Sequence, residues 1–161
     1  MFKLIFKVLI LLSIAAIVGV GISMYMMTDG KKDVIELTND VNGEKIYLIK
    51  TSWGFGDSKM AIGLNKRLSS GFSNTPKDKY TEAVGTEYFF YKFESGKLFV
   101  YNDNFEAPRY NRFRTELVFI GLSNPDFIKL SEHKNYLKKG LNIFPKNIIG
   151  RLDYADSLND N

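Results

Sequence analysis

Arginines alternate with polar and aromatic residues between Arg109 and Arg114, in the order Arg-Tyr-Asn-Arg-Phe-Arg. Guanidinium groups pair with phosphates and carboxylates, and aromatic rings stack on bases, so this composition is typical of surfaces that bind anionic polymers. On a β-strand, Arg112 and Arg114 would share one face and Phe113 would point to the other, which is also the pattern of an ordinary solvated strand. We predict that Arg109, Arg112 and Arg114 belong to a binding surface.

A second candidate segment runs from Trp53 to Asp57 and reads Trp-Gly-Phe-Gly-Asp. Paired glycines let a backbone approach a phosphate, but a phosphate-binding loop also needs a following Gly-Lys-Ser/Thr or the N-terminus of a helix. Neither follows here, because the next apolar run alternates as a strand does. The segment is therefore interpreted as a strand-to-strand loop in which Trp53 and Asp57 are candidate binding residues.

The sequence contains few residues that could serve as a catalytic nucleophile or as metal ligands. The chain has no cysteine, which excludes disulfides, thiolate metal sites and a cysteine nucleophile. His133 is the only histidine, and its Ser-Glu-His-Lys context is that of a surface residue, whereas a catalytic zinc site usually takes two or more histidines. We expect no cofactor and no metal. The 18 acidic residues are scattered, and sequence alone does not pair two of them across a cleft.

The N-terminus contains an apolar segment. From Val8 to Met27 the chain carries no charge over 20 residues. At 1.5 Å per helical residue this length is about 30 Å, the thickness of a hydrocarbon core. We predict a membrane segment over residues 1–27. Two outcomes are open: an uncleaved signal anchor, which the length of the run favours, or a signal peptide cut after Gly21 or after Ser23, where small-x-small triplets suit cleavage.

The side of the membrane on which the domain lies depends on a small charge difference. Lys3 and Lys7 precede the segment and Lys31 and Lys32 follow it, so the positive-inside count is a tie that the N-terminal amine breaks. We therefore expect the domain outside the cytoplasm, tethered to a bacterial inner membrane or, after cleavage, secreted to the periplasm.

The net charge bears on the partner. Lys3 and Lys7 account for two of the four net positive charges, which leaves +2 for the rest of the chain. A domain so close to neutrality gives no strong case for nucleic acid, and none is expected as a partner. Outside the cytoplasm, anionic lipid or lipopolysaccharide suits the arginines between Arg109 and Arg114 better.

Strands are predicted after a short polar linker over residues 28–33. Val34–Thr38 and Lys45–Thr51 should form a hairpin, because Asn42 and Gly43 between them are a tight-turn signal. Alternation and turn residues predict further strands over Lys59–Asn65, over Arg112–Leu122, and as an aromatic-rich hairpin within Glu87–Asn102. Both faces of that last hairpin are apolar, which places its strands centrally in a covered sheet.

One late helix is predicted over residues 124–139, where Asn-Pro-Asp supplies an N-cap, a proline at N1 and an acid, and a glycine follows the end. A separate, shorter helix starting at Ser131 is the alternative. Ser69–Lys79 is predicted to be a long loop and residues 151–161 a frayed polar tail. The fold class is thus mainly β (α+β): an N-terminal transmembrane helix, then an antiparallel β-sheet domain over residues 34–150 with one C-terminal helix.

Three segments together resemble short exported hypothetical proteins of Bacteroidetes-type bacteria: Trp53–Asp57, Tyr88–Lys92 and Leu98–Tyr101. The resemblance covers the middle of the domain. That family has no assigned activity, so the resemblance implies a fold and an exported location and says nothing about chemistry.

The lack of catalytic motifs favours binding over catalysis. We expect a membrane-anchored extracytoplasmic domain that acts as a non-enzymatic binding protein, with an immunity or inhibitor protein of the envelope as its most specific version. The alternatives are a hydrolase of envelope polysaccharide that uses two carboxylates and a structural component of an envelope assembly. The expected partners are the membrane, through Val8 to Met27, and a protein of the envelope.

Overall fold

The computed structural model describes residues 7, 10–21, 31–52, 58–66, 80–83, 87–102 and 112–159. The elements of this part of the chain are helix α1 over residues 10–21, strands β1 (Lys31–Thr38), β2 (Lys45–Ser52), β3 (Ser58–Gly63), β4 (Tyr80–Ala83), β5 (Phe89–Glu94), β6 (Lys97–Asn102) and β7 (Glu116–Gly121), helices α2 (Asn124–Ser131) and α3 (Asn135–Lys138), strand β8 (Asn142–Phe144) and helix α4 (Ile149–Asn159). The fold is α+β with two sheets. The predicted loop over Ser69–Lys79 lies outside the described residues.

The first sheet has the strand order β1-β2-β3-β4, with every neighbour antiparallel. The predicted hairpin between β1 and β2 is confirmed, and Gly43 has the positive φ, +70°, that a tight turn requires and that glycine adopts without a steric cost. β1 begins at Lys31, three residues before the predicted start, so half of the predicted linker belongs to the strand.

The second sheet has the order β7-β6-β5-β8. β5 and β6 form the predicted aromatic hairpin, and their central position in the sheet is confirmed. The prediction of a wholly antiparallel domain is wrong, because β7 pairs parallel with β6, from Lys97 beside Glu116 to Asn102 beside Gly121. A parallel neighbour requires the chain to return to the end where β6 begins, and the sequence pattern of β7 does not distinguish a parallel from an antiparallel neighbour.

The two sheets pack face to face around the main core. β2 and β3 contribute alternate residues from one side, and β5, β6 and β8 contribute theirs from the other. The fully packed members are Ile46, Leu48, Met60, Ile62, Phe89, Tyr91, Leu98, Val100 and Phe144. Each large apolar side chain buried in this way stabilises the fold by about 1.5–3 kcal/mol.

Helices cover the opposite face of the second sheet, so the domain has three layers. Phe89 and Tyr91 point into the sandwich, whereas Phe90 between them points to the helices, because side chains alternate along a strand. The helical layer packs its own core, made of Phe90, Phe127, Leu130, Tyr136, Leu141, Ile143 and Ile148. A strand covered on both sides explains why β5 begins with three consecutive buried aromatic residues, Phe89, Phe90 and Tyr91.

The prediction of one late helix over residues 124–139 is wrong, and the alternative of a separate, shorter helix starting at Ser131 is closer to the structure. Ser123 is the N-cap in place of Asn124, and its hydroxyl accepts a hydrogen bond from the backbone N–H of Asp126. The helix breaks at a 3₁₀ turn in which His133 and Lys134 have left-handed φ values of 47° and 53°, and a second helix, α3, follows. The tail predicted to fray is helical through Asn159.

Tertiary contacts select this break. The backbone N–H of His133 donates to Asp156 Oδ2 at 2.8 Å, and Lys134 Nζ lies 3.1 Å from Asp153 Oδ2. Both acids lie on α4, so these two contacts fix the position of the turn relative to the final helix. Leu137 on α3 is exposed, whereas Tyr136 beside it is buried.

Helix α1 has no buried residue among positions 10–21, and its apolar side chains are exposed, with Leu11 at 72% and Ile17 at 71%. Within the described residues, no helix has both the length and the apolar character to cross a membrane.

Candidate functional site

Of the five predicted binding residues, Trp53, Asp57 and Arg109 lie outside the described residues. Arg112 and Arg114 are exposed, in an irregular segment that leads into β7. The expectation that they share one face of a strand is wrong, because β7 begins only at Glu116.

A buried carboxylate explains why this segment is not a strand. Glu44, at the end of the β1–β2 turn, is 7% exposed, and its two oxygens accept the backbone N–H groups of Arg114 at 2.9 Å and Thr115 at 2.7 Å. Those N–H groups would otherwise be available to a strand ladder. The backbone beneath the arginines is therefore fixed by a side chain from the other sheet.

Asn39 completes this arrangement. Its Nδ2 donates to the backbone carbonyl of Gly96 at 2.9 Å and to Thr115 Oγ1 at 2.7 Å. Its Oδ1 accepts the backbone N–H of Val41 at 2.9 Å. We call Asn39, Glu44, Gly96 and Thr115 the polar latch, because they join the β1–β2 turn, the β5–β6 turn and the segment before β7 at one end of the sandwich.

The latch also sets the charge of Glu44. Burial acts to raise the pKa of this carboxyl, but the hydrogen bonds from the backbone N–H groups of Arg114 and Thr115 and from the Thr115 hydroxyl, with the charge of Arg114, outweigh burial and lower the pKa. Arg114 Nε lies 3.8 Å from Glu44 Oε1, while its side chain stays 67% exposed. Glu44 thus remains an anchoring carboxylate, and the Arg114 guanidinium is presented to the surroundings.

The latch lies at the far end of the sandwich from the point where the chain enters it. β1 runs from Lys31 at one end to Thr38 beside the latch, and a strand of 8 residues spans about 26 Å. Arg112 and Arg114 therefore lie about one strand length from Lys31.

A second feature, missed by sequence reasoning, is a cleft between α2 and α3. It has a volume of about 390 Å³ and is lined by Leu122, Asp126, Lys129, Leu130, Asn135, Lys138 and Lys139. We call it the lysine cleft. Its floor is apolar, with Leu130 buried and Leu122 half-buried, and its rim is cationic.

Asn135 ties the two walls of the cleft together. Its Nδ2 donates to the backbone carbonyl of Lys129, near the end of α2, at 3.0 Å. Its Oδ1 accepts from Lys138 Nζ on α3 at 2.9 Å. On the α2 side, the Ser123 hydroxyl donates to Asp126 Oδ2 at 2.5 Å, which fixes the carboxylate at the rim.

The break at His133 and Lys134 creates the cleft. In a continuous helix, Lys138 and Lys139 would lie along the axis beyond Lys129. The left-handed turn changes the direction of the chain instead, and all three lysines line one cleft with Leu130. No glycine marks that turn, so the sequence holds no local signal for it.

The described residues do not form an arrangement typical of a catalytic site or of a metal site. His133 is exposed, and its backbone N–H is bound by Asp156. No group of three or more His, Asp or Glu side chains in the described ranges is arranged to hold a metal ion. No protein-family model matches the chain, and no curated protein or solved structure does so either.

Proposed function

We propose that the chain is a membrane-tethered, non-enzymatic binding protein whose domain lies outside the cytoplasm, and that it acts as an immunity or inhibitor protein does, by occupying a partner. The observation that carries the tether is the exposure of α1. Its large apolar residues, Leu11, Leu12, Ile14 and Ile17 among them, are exposed, within the uncharged stretch from Val8 to Met27.

The cost of that exposure in water supports a lipid environment. Leaving one large aliphatic side chain in water forfeits about 1.5–3 kcal/mol relative to burial, and α1 presents several of them. A bilayer removes the penalty for all of them at once. The domain does not need α1 for its own stability, since both main cores are built from residues of the sheets and the later helices.

The position of the arginines supports a protein partner over the lipid expected from sequence. A tether that ends at Lys31 places Arg112 and Arg114 at the opposite end of β1, about 26 Å away. An upright domain turns them away from the anchoring bilayer and toward other components of the envelope. The polar latch holds their backbone rigid, which lowers the entropy lost on binding.

Binding is also better supported than carboxylate catalysis. A general acid needs a pKa raised toward neutrality. The carboxyls with a resolved shift among the described residues, Glu36 and Glu44, both have a lowered pKa: Glu36 through its hydrogen bond from Lys45, and Glu44 through the latch, whose hydrogen bonds and Arg114 charge outweigh the effect of burial.

The test is an affinity capture from cross-linked membranes, with the full chain tagged at its C-terminus. The double variant Arg112→Ala plus Arg114→Ala should lose the captured protein. A double variant of equal charge at the other end of β1, Lys31→Ala plus Lys32→Ala, should retain it. If both variants capture the protein equally well, Arg112 and Arg114 do not belong to the binding surface. If only lipid is recovered, the partner is anionic lipid, as the sequence predicted.

A further inference from the structure

We propose that the lysine cleft binds an acidic peptide segment of a protein partner, with carboxylates on Lys129, Lys138 and Lys139 and an apolar side chain on the floor of Leu122 and Leu130. The inference names a partner chemistry for the proposed binding function and rests on it. It adds a site distinct from the arginine end of the sandwich.

The size and lining of the cleft suit such a ligand. Pockets that bind small molecules have volumes of about 300 to 1,000 Å³, and the cleft, at about 390 Å³, lies within that range. Its leucines offer burial to an aliphatic or aromatic side chain, while its polar groups converge at the rim. A ligand with both anionic and apolar side chains satisfies both parts.

The charge of the cleft is not neutralised within the described residues. Lysines elsewhere in that part of the chain form ion pairs, among them Lys45 with Glu36, Lys59 with Glu82, Lys92 with Glu94, Lys97 with Glu116, and Lys134 with Asp153. None of the three cleft lysines has a carboxylate partner in the described ranges, and of their three ammonium groups only that of Lys138 forms a hydrogen bond there, to Asn135. Three cations against Asp126 on a concave surface attract an anionic ligand.

Asp126 favours a peptide over a simple polyanion. Its carboxylate, held at Oδ2 by the Ser123 hydroxyl, offers an acceptor among the lysines. A peptide backbone brings N–H donors to such an acceptor beside its acidic side chains. Inorganic phosphate and the phosphate of an anionic lipid bring charge without amide N–H donors for the Asp126 carboxylate.

Fluorescence anisotropy tests the site with the full chain in a neutral detergent. The probe is a labelled, capped hexapeptide of alternating glutamate and leucine, and its glutamine counterpart is the uncharged control. The triple variant Lys129→Gln, Lys138→Gln and Lys139→Gln should weaken binding of the glutamate probe about tenfold. A charge-matched triple variant elsewhere, Lys66→Gln, Lys97→Gln and Lys146→Gln, should bind as the wild type does.

Competition separates the sources of negative charge. Inorganic phosphate and micelles doped with phosphatidylglycerol are added to the probe complex at matched ionic strength, and neither should displace it at concentrations where unlabelled peptide does. Equal weakening in both triple variants would overturn the proposal, because it would show nonspecific attraction. Displacement by the doped micelles alone would overturn it in favour of a lipid site. If the wild-type chain does not bind the glutamate probe, the proposal for the cleft is overturned, while an intact tether and intact capture at the arginines would leave the proposed function standing.

Discussion

The Glu44 carboxylate accepts a hydrogen bond of 2.7 Å from the backbone N–H of Thr115, 71 residues later in the chain. This contact joins the two sheets at one end of the sandwich and replaces strand pairing immediately before β7. A buried carboxylate is costly unless its oxygens are satisfied, and here both oxygens accept backbone donors. The latch is therefore a site where a small chemical change should have a large effect.

Glu44→Gln should lower the free energy of unfolding by about 1–3 kcal/mol. An amide keeps one acceptor but places N–H donors against the N–H of Arg114 or Thr115, which leaves buried groups unsatisfied. Urea unfolding followed by circular dichroism measures the change. Glu116→Gln is the matched control, because its carboxylate forms an exposed ion pair with Lys97, and it should change stability by less than about 1 kcal/mol. Equal losses in the two variants would contradict the role given to the latch.

Stability should also depend on acid through Glu44. Its pKa is lowered in the folded protein from the ordinary value of 4.5, so the contribution of this carboxylate is fully present above that value and is lost as the pH falls through the folded pKa. The free energy of unfolding should therefore decline below about pH 4.5, and decline less steeply in Glu44→Gln. Urea titrations at a series of pH values measure the difference. Parallel curves for the two proteins would show that Glu44 does not titrate as described.

Gly96 and Gly43 provide a matched pair at the same end of the sandwich. Both have positive φ, +73° and +70°, but a Cβ at Gly96 would lie 2.9 Å from Val41 Cγ2, whereas a Cβ at Gly43 would meet nothing within 4 Å. Gly43→Ala should cost about 1–2 kcal/mol from backbone strain alone, and Gly96→Ala should cost more. Thermal unfolding measures both.

Val41 gives the control for the clash at Gly96. Its side chain is 77% exposed, so Val41→Ala alone should change stability little. The double variant Gly96→Ala plus Val41→Ala should be more stable than Gly96→Ala alone. Its loss of stability should be about equal to that of Gly43→Ala. A double variant no more stable than Gly96→Ala would mean that the close approach of the two turns is not the cause.

The hairpins were predictable because local chemistry specifies them. Asn42 and Gly43 fix one turn, and the Gly96 turn between two apolar runs fixes the other. The doubly apolar pattern around Phe90 also predicted a strand covered on both faces, and the helical layer supplies that cover. In each case the information lies within a few residues of the feature.

The remaining features depend on contacts between distant segments. The parallel pairing of β7, the irregular backbone at Arg114 and the left-handed turn at His133 are each selected by partners far along the chain: β6, Glu44 and Asp156 respectively. The lysine cleft follows from the turn at His133. Periodicity predicted a helix through that point, because only tertiary contacts favour the break.

Protease accessibility in intact spheroplasts tests whether the domain lies outside the cytoplasm on a membrane tether. The full chain carries a C-terminal tag, and a cytoplasmic protein serves as the marker for lysis. We predict that added protease removes the tag from intact spheroplasts while the marker survives, and that the tagged protein stays in the membrane pellet after alkaline carbonate. A tag protected until the spheroplasts are lysed would contradict the orientation, and a tagged protein released by carbonate would contradict the tether.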